Sequence, residues 1–186
     1  MSNLPRLVIL DRDGVINQDS DDYIKSADEW IPIEGSLEAI ARLNQAGILV
    51  AVASNQSGLG RGLFTPQDLN RMHAKFQRLL ARIGGHVDAI FFCPHTPDAG
   101  CECRKPAPGL LRSVSLRFGL PLNSVPFIGD SKSDVEAAQA ARARPVLVRT
   151  GKGVRTLTDN PGLENLPCYA DLGEAVDALL DGSLLT

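Results

Sequence analysis

Short apolar runs alternate with longer amphipathic segments along the chain. The continuous runs predict buried parallel strands over 7–10, 48–53, 87–92, 125–128 and 145–148. Apolar positions at helical spacing predict helices between them, at about 36–46, 65–83, 109–118, 134–141 and 172–180. The segment 151–168 is rich in Gly, Thr, Asn and Pro and is expected to be loop. Strands alternating with helices indicate an α/β fold, a parallel sheet covered on both faces, in one domain over residues 1–186.

Polar side chains follow the predicted strands at the points where the strands end. Asp11 and Asp13 follow the first strand and Ser54-Asn55 the second, while Arg104-Lys105 lie in the loop after the third. Asp130 and Asp134 follow the fourth. Each alone has a plainer explanation, as a turn, an exposed lysine or a helix N-cap. Ligands of open parallel sheets bind beyond this edge, and the neighbouring acids indicate a cation such as Mg²⁺ between them.

Three cysteines and one histidine fall within eleven residues after the third strand. Cys93, His95, Cys101 and Cys103 supply the Cys₃His set that tetrahedral Zn²⁺ prefers. Cysteines also fill apolar cores, but Pro, Thr, Asp, Gly and Glu surround these ones. Four protein ligands leave no open position, so a structural zinc that staples the loop is predicted. Cys168 is expected to be a small buried side chain, and His73 and His86 are expected on the surface or in the core.

Composition narrows the classes of function that remain. The chain has 186 residues, 44% of them hydrophobic, and a formal net charge of −3, which gives no sign of nucleic-acid binding. No apolar stretch is long enough for a membrane span, and the run at 7–10 is too short for a signal peptide. We therefore expect a cytoplasmic monomer whose partner is a small molecule, with neither nucleic acid nor membrane.

Four motifs together resemble the haloacid dehalogenase-like superfamily of phosphotransferases. They are DRDGVIN at 11–17, SN at 54–55, RKP at 104–106 and GDSKSD at 129–134. The resemblance implies a Rossmann-like doubly wound sheet, Mg²⁺ and hydrolysis of a phosphate ester. It makes Asp11 the nucleophile that forms an aspartyl-phosphate and Asp13 the general acid and base. Ser54 and Lys105 would hold the phosphoryl oxygens.

The same resemblance implies the metal ligands. Asp130 would bind Mg²⁺ together with the Asp11 side chain and the Asp13 carbonyl oxygen, and Asp134 would lie in the outer shell. With the zinc loop, the motifs are most similar to sugar bisphosphate phosphatases that serve the synthesis of surface polysaccharides. Histidinol-phosphate phosphatases are the near alternative, and a phosphoacceptor signalling module or a non-catalytic zinc-binding domain are alternatives of other classes.

The gaps between motifs are too short for a separate cap domain, and the resemblance then implies substrate contacts in three local loops, at 19–23, at 54–58 and in the zinc loop with Arg104. The candidates are Asp19, Asp22, Tyr23, Asn55, Gln56, Ser57, Arg104 and Lys132. Arg104 is expected to engage a second anionic group of the substrate, although a solvated loop arginine paired with Glu102 remains open. The acids Asp19, Asp21 and Asp22 bind sugar hydroxyls or form a solvated turn.

Overall fold

Six parallel strands form one sheet in the computed structural model, which describes residues 4–185. The strands are β1 (Leu7–Leu10), β2 (Leu49–Asn55), β3 (Ala89–Cys93), β4 (Pro126–Gly129), β5 (Arg144–Val148) and β6 (Cys168–Tyr169). Their order across the sheet is β3-β2-β1-β4-β5-β6, and every neighbouring pair is parallel. This confirms the doubly wound α/β fold, whose strand order reverses between β1 and β4. Residues 1–3 and 186 of the predicted domain lie outside the described residues.

Seven helices connect and cover these strands within the described residues. They are α1 (Ser36–Gln45), α2 (Ser57–Gly60), α3 (Pro66–Arg82), α4 (Gly109–Phe118), α5 (Lys132–Ala141), α6 (Gly153–Asp159) and α7 (Leu172–Leu180). Thr65 caps α3 as expected, since its hydroxyl accepts from the backbone N–H of Asp68 and Asp68 returns the bond. Helix α5 begins two residues earlier than predicted, because Ser131 rather than Asp134 is its N-cap.

The two faces of the sheet bury separate apolar cores. Val8 and Leu10 of β1 point to one face, where α1, α3 and α7 pack, and Leu7 and Ile9 point to the other, where α4 and α5 pack. All four side chains are fully buried. A strand covered on both sides needs apolar residues at every position, which explains why continuous apolar runs predict the central strands.

The prediction of a loop over 151–168 is wrong. Helix α6 occupies Gly153–Asp159, and β6 adds Cys168–Tyr169 to the edge of the sheet. The helix has no apolar stripe, since only Gly153 and Thr156 of it are buried. Its position depends instead on a tertiary hydrogen bond of 2.8 Å from the Thr156 hydroxyl to the carbonyl oxygen of Asp130. Cys168 is only half-buried, so the expectation of a buried side chain is also wrong.

The connection between β1 and α1 stays close to the sheet. Within the described residues it contains turns and two isolated bridges, but no helix and no strand, which agrees with the absence of a cap domain. Trp30 anchors its far half: the indole is fully buried and packs on Phe76 of α3 with ring centroids 5.4 Å apart. The ammonium of Lys75 donates to the carbonyl oxygens of Ala27 and Trp30 at 2.6 and 2.7 Å.

Candidate active site

A cleft of about 400 Å³ opens at the carboxyl ends of β1, β2 and β4, where the strand order reverses. Its walls bring together residues that are far apart in the sequence. Those predicted as site residues are Asp11, Asp13, Asp19, Tyr23, Ser54, Asn55, Gln56, Ser57, Arg104, Lys105 and Asp130. The four motifs therefore meet in one cleft, as their positions at strand ends predict.

Three carboxylates cluster at the inner end of this cleft, which Asp11 and Asp130 line and Asp134 does not. We call Asp11, Asp130 and Asp134 the carboxylate cluster. One oxygen of each lies within 4.8 Å of the others, and all three residues are buried. Lys105 joins two of them, because its Nζ lies 2.8 Å from Asp11 Oδ1 and 2.7 Å from Asp134 Oδ1. The ammonium also donates to the carbonyl oxygen of Ala53 at 2.9 Å, so it is fixed from three sides.

Two glycines leave the space that Asp130 occupies. A Cβ at Gly14 would lie 2.1 Å from Asp130 Oδ2, and one at Gly151 would lie 2.2 Å from it. Both glycines also have positive φ, +83° and +57°, which other residues rarely adopt. The backbone N–H of Lys152 donates to the same oxygen at 2.7 Å. The loop before α6, which the sequence did not single out, therefore holds this carboxylate in place.

Burial and mutual repulsion disfavour the ionised forms of Asp11 and Asp130. Burial, reinforced by Asp134 and opposed by Lys105, raises the pKa of Asp11 to about 7. Burial and the neighbouring Asp11 and Asp134 raise the pKa of Asp130 to about 8. Burial alone would lower the pKa of Lys105, but Asp11 and Asp134 raise it above its usual value. With all three acids ionised, the cluster would carry more negative charge than the Lys105 ammonium balances, and a divalent cation would remove that excess.

Asp13 lies outside the carboxylate cluster and has its own set of partners. Arg12 Nε donates to Asp13 Oδ1 at 3.0 Å, and Arg12 Nη2 lies 2.8 and 2.9 Å from the two carboxylate oxygens. Asn17 Nδ2 and Gln56 Nε2 donate to the same carboxylate at 2.9 and 2.8 Å. Although burial would raise the pKa of Asp13, Arg12 and these amides lower it below its usual value. Neither Arg12 nor Asn17 was identified from the sequence, where both lie within the first motif without a role of their own.

The end of β2 connects the cleft to the loop that carries Lys105. Asn55 Nδ2 donates to the carbonyl oxygen of Lys105 at 3.0 Å, and the backbone N–H of Lys105 donates to Asn55 Oδ1 at 3.0 Å. The Asn55 side chain thus holds the backbone of Lys105 through two hydrogen bonds, although the sequence analysis placed Asn55 among the substrate contacts. The buried Ser54 hydroxyl accepts from Gln56 Nε2 at 2.8 Å and lines the cleft beside them.

Two of the predicted substrate contacts do not line the cleft. Asp22 is exposed, and its neighbours Asp21 and Tyr23 face the cleft instead. Lys132 begins α5 and projects along the helix, so its Nζ lies 3.7 Å from Glu136 Oε1. Neither residue lines the cleft in this structure, and their contact with a substrate stays a prediction.

Lys152 is a cleft residue that the sequence analysis missed. Its Nζ lies 3.0 Å from Asp19 Oδ2, and Arg155 Nη2 lies 3.7 Å from Asp21 Oδ1. The two pairs join the 19–23 loop to the start of α6. Because that segment carries no apolar pattern, nothing in the sequence placed it beside the cleft.

Arg104 also lines the cleft, at the mouth rather than at the bottom. Its Nη1 donates to the carbonyl oxygen of His95 at 3.4 Å, a long bond, and the structure gives it no ion pair with Glu102 among residues 4–185. The guanidinium is thus free to meet an anion in the cleft.

The predicted zinc ligands meet in one place, which we call the Cys–His cluster: Cys93, His95, Cys101 and Cys103. Their ligand atoms all lie within 4.8 Å of one another, with Cys103 Sγ 3.3 Å from Cys93 Sγ and 3.3 Å from His95 Nδ1. Ligands of tetrahedral Zn²⁺ at bond lengths near 2.3 Å are separated by about 3.7 Å, so the spacing fits that ion. The group combines the C-terminal residue of β3 with three loop residues, and only Cys93 of the four is fully buried.

The carboxylate cluster likewise fits its predicted ion. Its donors are all carboxylate oxygens, which suit a hard cation such as Mg²⁺. Asp134 Oδ1 is a buried oxygen with no well-formed hydrogen bond, despite its close ion pair with Lys105. Glycine at 14 and 151 leaves room for Asp130 at this point.

No helix within residues 4–185 has both the length and the apolar character needed to cross a membrane.

Comparison with known proteins agrees with this geometry. The HAD-hydrolase-like family model, where HAD stands for haloacid dehalogenase, matches residues 102–175. A D-glycero-beta-D-manno-heptose-1,7-bisphosphate 7-phosphatase of Pseudomonas aeruginosa is 56% identical over 174 residues, which are 94% of this chain and 97% of that protein. The enzyme of the same name from Escherichia coli K12 is 34% identical, over 91% of this chain and 92% of its own length.

A solved structure shows the same fold. The crystal structure of D,D-heptose 1,7-bisphosphate phosphatase from Bordetella bronchiseptica, complexed with magnesium and phosphate, superposes with a TM-score of 0.92. It is 52% identical, and the match covers 95% of this chain and 99% of that one. The family motifs, the sheet order and these relatives lead to one conclusion: the chain belongs to the haloacid dehalogenase-like hydrolases and is a phosphatase of that family.

Proposed function

We propose that this protein, as one domain, removes the 7-phosphate of D-glycero-β-D-manno-heptose 1,7-bisphosphate with the aid of Mg²⁺. The observation that carries the proposal is the buried ion pair of Lys105 with Asp11, at the bottom of a cleft whose mouth holds the cations Arg104 and Lys152. This arrangement offers one nucleophile and two separate places for anionic groups. The names of the curated relatives support the choice of substrate.

Each proposed metal has a defined set of holders. Asp11, Asp130 and the Asp13 backbone carbonyl would hold Mg²⁺, with Asp134 beside them, and the Cys–His cluster would hold a structural Zn²⁺. When bound, Mg²⁺ neutralises charge on the phosphoryl oxygens and on the carboxylates around it. The zinc would order the loop that carries Arg104 and Lys105 and would take no part in the chemistry.

The first displacement transfers the phosphoryl group to the enzyme. A carboxylate oxygen of Asp11 attacks phosphorus, the bond from phosphorus to the sugar oxygen breaks, and Asp13 gives a proton to that departing oxygen. Because the donors around Asp13 favour its carboxylate, this step draws on the minor protonated form of the side chain. Lys105 and the Ser54 hydroxyl lie beside Asp11 and would stabilise the negative charge that develops on the phosphoryl oxygens.

The second displacement releases inorganic phosphate. Asp13, now a carboxylate, takes a proton from a water molecule as that water attacks the phosphorus of the aspartyl-phosphate. The bond between phosphorus and the Asp11 oxygen breaks, so Asp11 returns as a carboxylate and Asp13 again carries the proton. Over the two steps the only reactants consumed are the phosphate ester and one water molecule.

The cleft gives each end of the substrate a partner. Arg104 and Lys152 are the cations available to the second phosphate at the cleft mouth, and Asp19, Tyr23 and Ser57 are the polar groups available to sugar hydroxyls. The place in surface polysaccharide synthesis, the cytoplasmic location and the monomeric state stay predictions.

The substrate proposal is tested by steady-state kinetics on matched substrates. We expect kcat/KM to be largest for the β-heptose 1,7-bisphosphate and lower for its 7-monophosphate and for histidinol phosphate. Arg104→Met should raise KM for the bisphosphate by about tenfold and leave the monophosphate almost unchanged, since each well-placed charged contact contributes on this order. A preference for histidinol phosphate, or a stable aspartyl-phosphate without turnover, would overturn the proposal.

A further inference from the structure

The environment of Asp13 is unusually complete for a side chain at the edge of a cleft. Its two carboxylate oxygens accept five hydrogen bonds, from two nitrogens of Arg12 and from the amides of Asn17 and Gln56. Gln56 is in turn fixed, because Arg12 Nη2 donates to its Oε1 at 3.2 Å and its own Nε2 donates to the Ser54 hydroxyl. We call Arg12, Asn17 and Gln56 the Asp13 cage.

Local backbone geometry brings Arg12 back onto its sequence neighbour. The backbone N–H groups of Ile16 and Asn17 donate to the Arg12 carbonyl oxygen at 2.8 and 3.2 Å, which closes a tight turn after β1. Gly14 makes this turn possible with a φ of +83°. Adjacent side chains on an extended strand would point to opposite faces, whereas here the guanidinium lies flat against Asp13.

Arg12 cannot act on the substrate directly. Its side chain is 1% exposed, and it is not among the residues that line the cleft, while Asp13 and Gln56 are. Its Nη1 is buried without a hydrogen-bond partner among the residues that the structure describes. Burying a charged group with one donor unpaired is a poor way to gain stability, which favours a role in placing Asp13.

We propose that the Asp13 cage fixes the carboxylate of Asp13, the general acid and base of this phosphatase, at the cleft wall, with Arg12, Asn17 and Gln56 as positioning residues. The inference rests on the proposed role of Asp13. It also reassigns Gln56, which the sequence analysis placed among the substrate contacts, to a role that acts through Asp13. Asp11 needs no such device, because Lys105 and the backbone N–H of Arg12 already hold it.

The test uses the dependence of kcat/KM on the leaving group. This quantity reports the steps up to departure of the alcohol, where protonation by Asp13 matters for an alkyl phosphate and matters little for p-nitrophenyl phosphate. Arg12→Met should lower kcat/KM for the heptose bisphosphate and other alkyl esters by about 10²-fold, the order expected for a misplaced catalytic group. The value for p-nitrophenyl phosphate should change by less than about threefold.

Two reference variants separate the inference from the proposed function. Asp13→Asn should show the same selectivity for alkyl esters with a larger loss, and adding Arg12→Met to it should cause little further loss. If Asp13→Asn lowers kcat/KM equally for all esters, the acid role of Asp13 itself is wrong. If Asp13→Asn lowers kcat/KM mainly for alkyl esters but Arg12→Met lowers it equally for all esters, the cage is only structural and the inference is overturned.

A second cage variant and a control complete the design. Gln56→Met removes one donor to Asp13. It should lower kcat/KM for alkyl esters by about tenfold and change kcat/KM for the aryl ester little, so it carries the test if Arg12→Met does not fold. A uniform loss in Gln56→Met would overturn the inference in that case. Ser36→Ala is the matched control, because it removes a buried hydrogen bond of 2.7 Å to the Ile16 carbonyl oxygen without touching Asp13. We expect Ser36→Ala to change kcat/KM by the same factor for alkyl and aryl esters.

Discussion

The carboxylate cluster and the Cys–His cluster both bring candidate metal ligands together, but in different parts of the fold. The carboxylates stand at the ends of β1 and β4 and in the first turn of α5, so regular structure places them, and a cleft opens above them. The Cys–His cluster depends on a loop, and its four protein ligands complete a tetrahedral set. Regular structure therefore places the first cluster and leaves it open to a substrate, whereas on the proposed function the second would need Zn²⁺ to order its loop.

The largest effect expected from this difference is the loss of the nucleophile. Asp11→Asn should reduce turnover by at least about 10⁴-fold, because no other side chain can form the aspartyl-phosphate. The fold should survive, since the sheet rather than the cluster holds the site together. Turnover within tenfold of wild type would show that Asp11 is not the nucleophile.

The same variant should also change how stability depends on pH. Because the folded-state pKa of Asp11 is raised to about 7, the metal-free fold binds more protons than the unfolded chain between about pH 4 and pH 7. The free energy of unfolding of the wild type should therefore fall as the pH rises through this window. The same rise in pH should reduce the free energy of unfolding of Asp11→Asn by less. Chemical denaturation with a chelator present at pH 5 and pH 8 measures this, and added Mg²⁺ should stabilise the wild type more at pH 8.

The second effect concerns the cation inside the carboxylate cluster. Lys105→Met should destabilise the metal-free protein by about 3–5 kcal/mol, because it leaves Asp11 and Asp134 buried without their shared partner. Added Mg²⁺ should recover part of this loss but not the activity. Equal stability of the variant and the wild type without metal would show that the buried pair is not coupled to the fold. Lys132→Met, whose lysine pairs with Glu136 on the surface, is the matched control.

The third effect tests the Cys–His cluster. Cys103→Ser should raise KM for the bisphosphate by about tenfold and lower kcat less, and excess Mg²⁺ should not restore the activity. The reason is that Asn55 clips the Lys105 backbone independently, whereas Arg104 has only a long bond to the loop. Cys168→Ser, outside the cluster, should behave as wild type. A change in kcat alone would contradict the separation of the two clusters.

The smallest effect lies outside both clusters, at His73 of α3. Burial, together with the nearby Arg12 guanidinium, lowers the pKa of His73 to about 4. Below pH 6.5 the unfolded chain takes up this proton before the folded one, so stability is lost as the pH falls towards about 4. The loss is roughly 1–2 kcal/mol at pH 5 for this half-buried side chain. His73→Gln should flatten the acid limb of the stability curve, and exposed His86→Gln should leave it unchanged.

The central fold and the cleft could be predicted from the sequence, because both follow from local patterns. Short apolar runs define β1 and β4, and the strands of a parallel sheet end at one edge, so the apolar pattern places Asp11 and Asp130 at the same edge. That β1 and β4 are neighbours comes from the structure. Helix α6 was missed because tertiary hydrogen bonds, rather than an apolar face, hold it. Arg12 was missed because a charged residue between two acids resembles a solvated turn, and only the fold shows that it is buried.

The Trp30 anchor has a consequence for how molecules enter and leave. Trp30 and Lys75 fasten the far half of the β1–α1 connection to α3, so only its short tip near Asp19 overhangs the cleft. We therefore expect substrate and product to exchange without a domain closure. Discrimination between substrates would then depend on charged side chains that are already in place, of which Arg104 and Lys152 lie outside this tip.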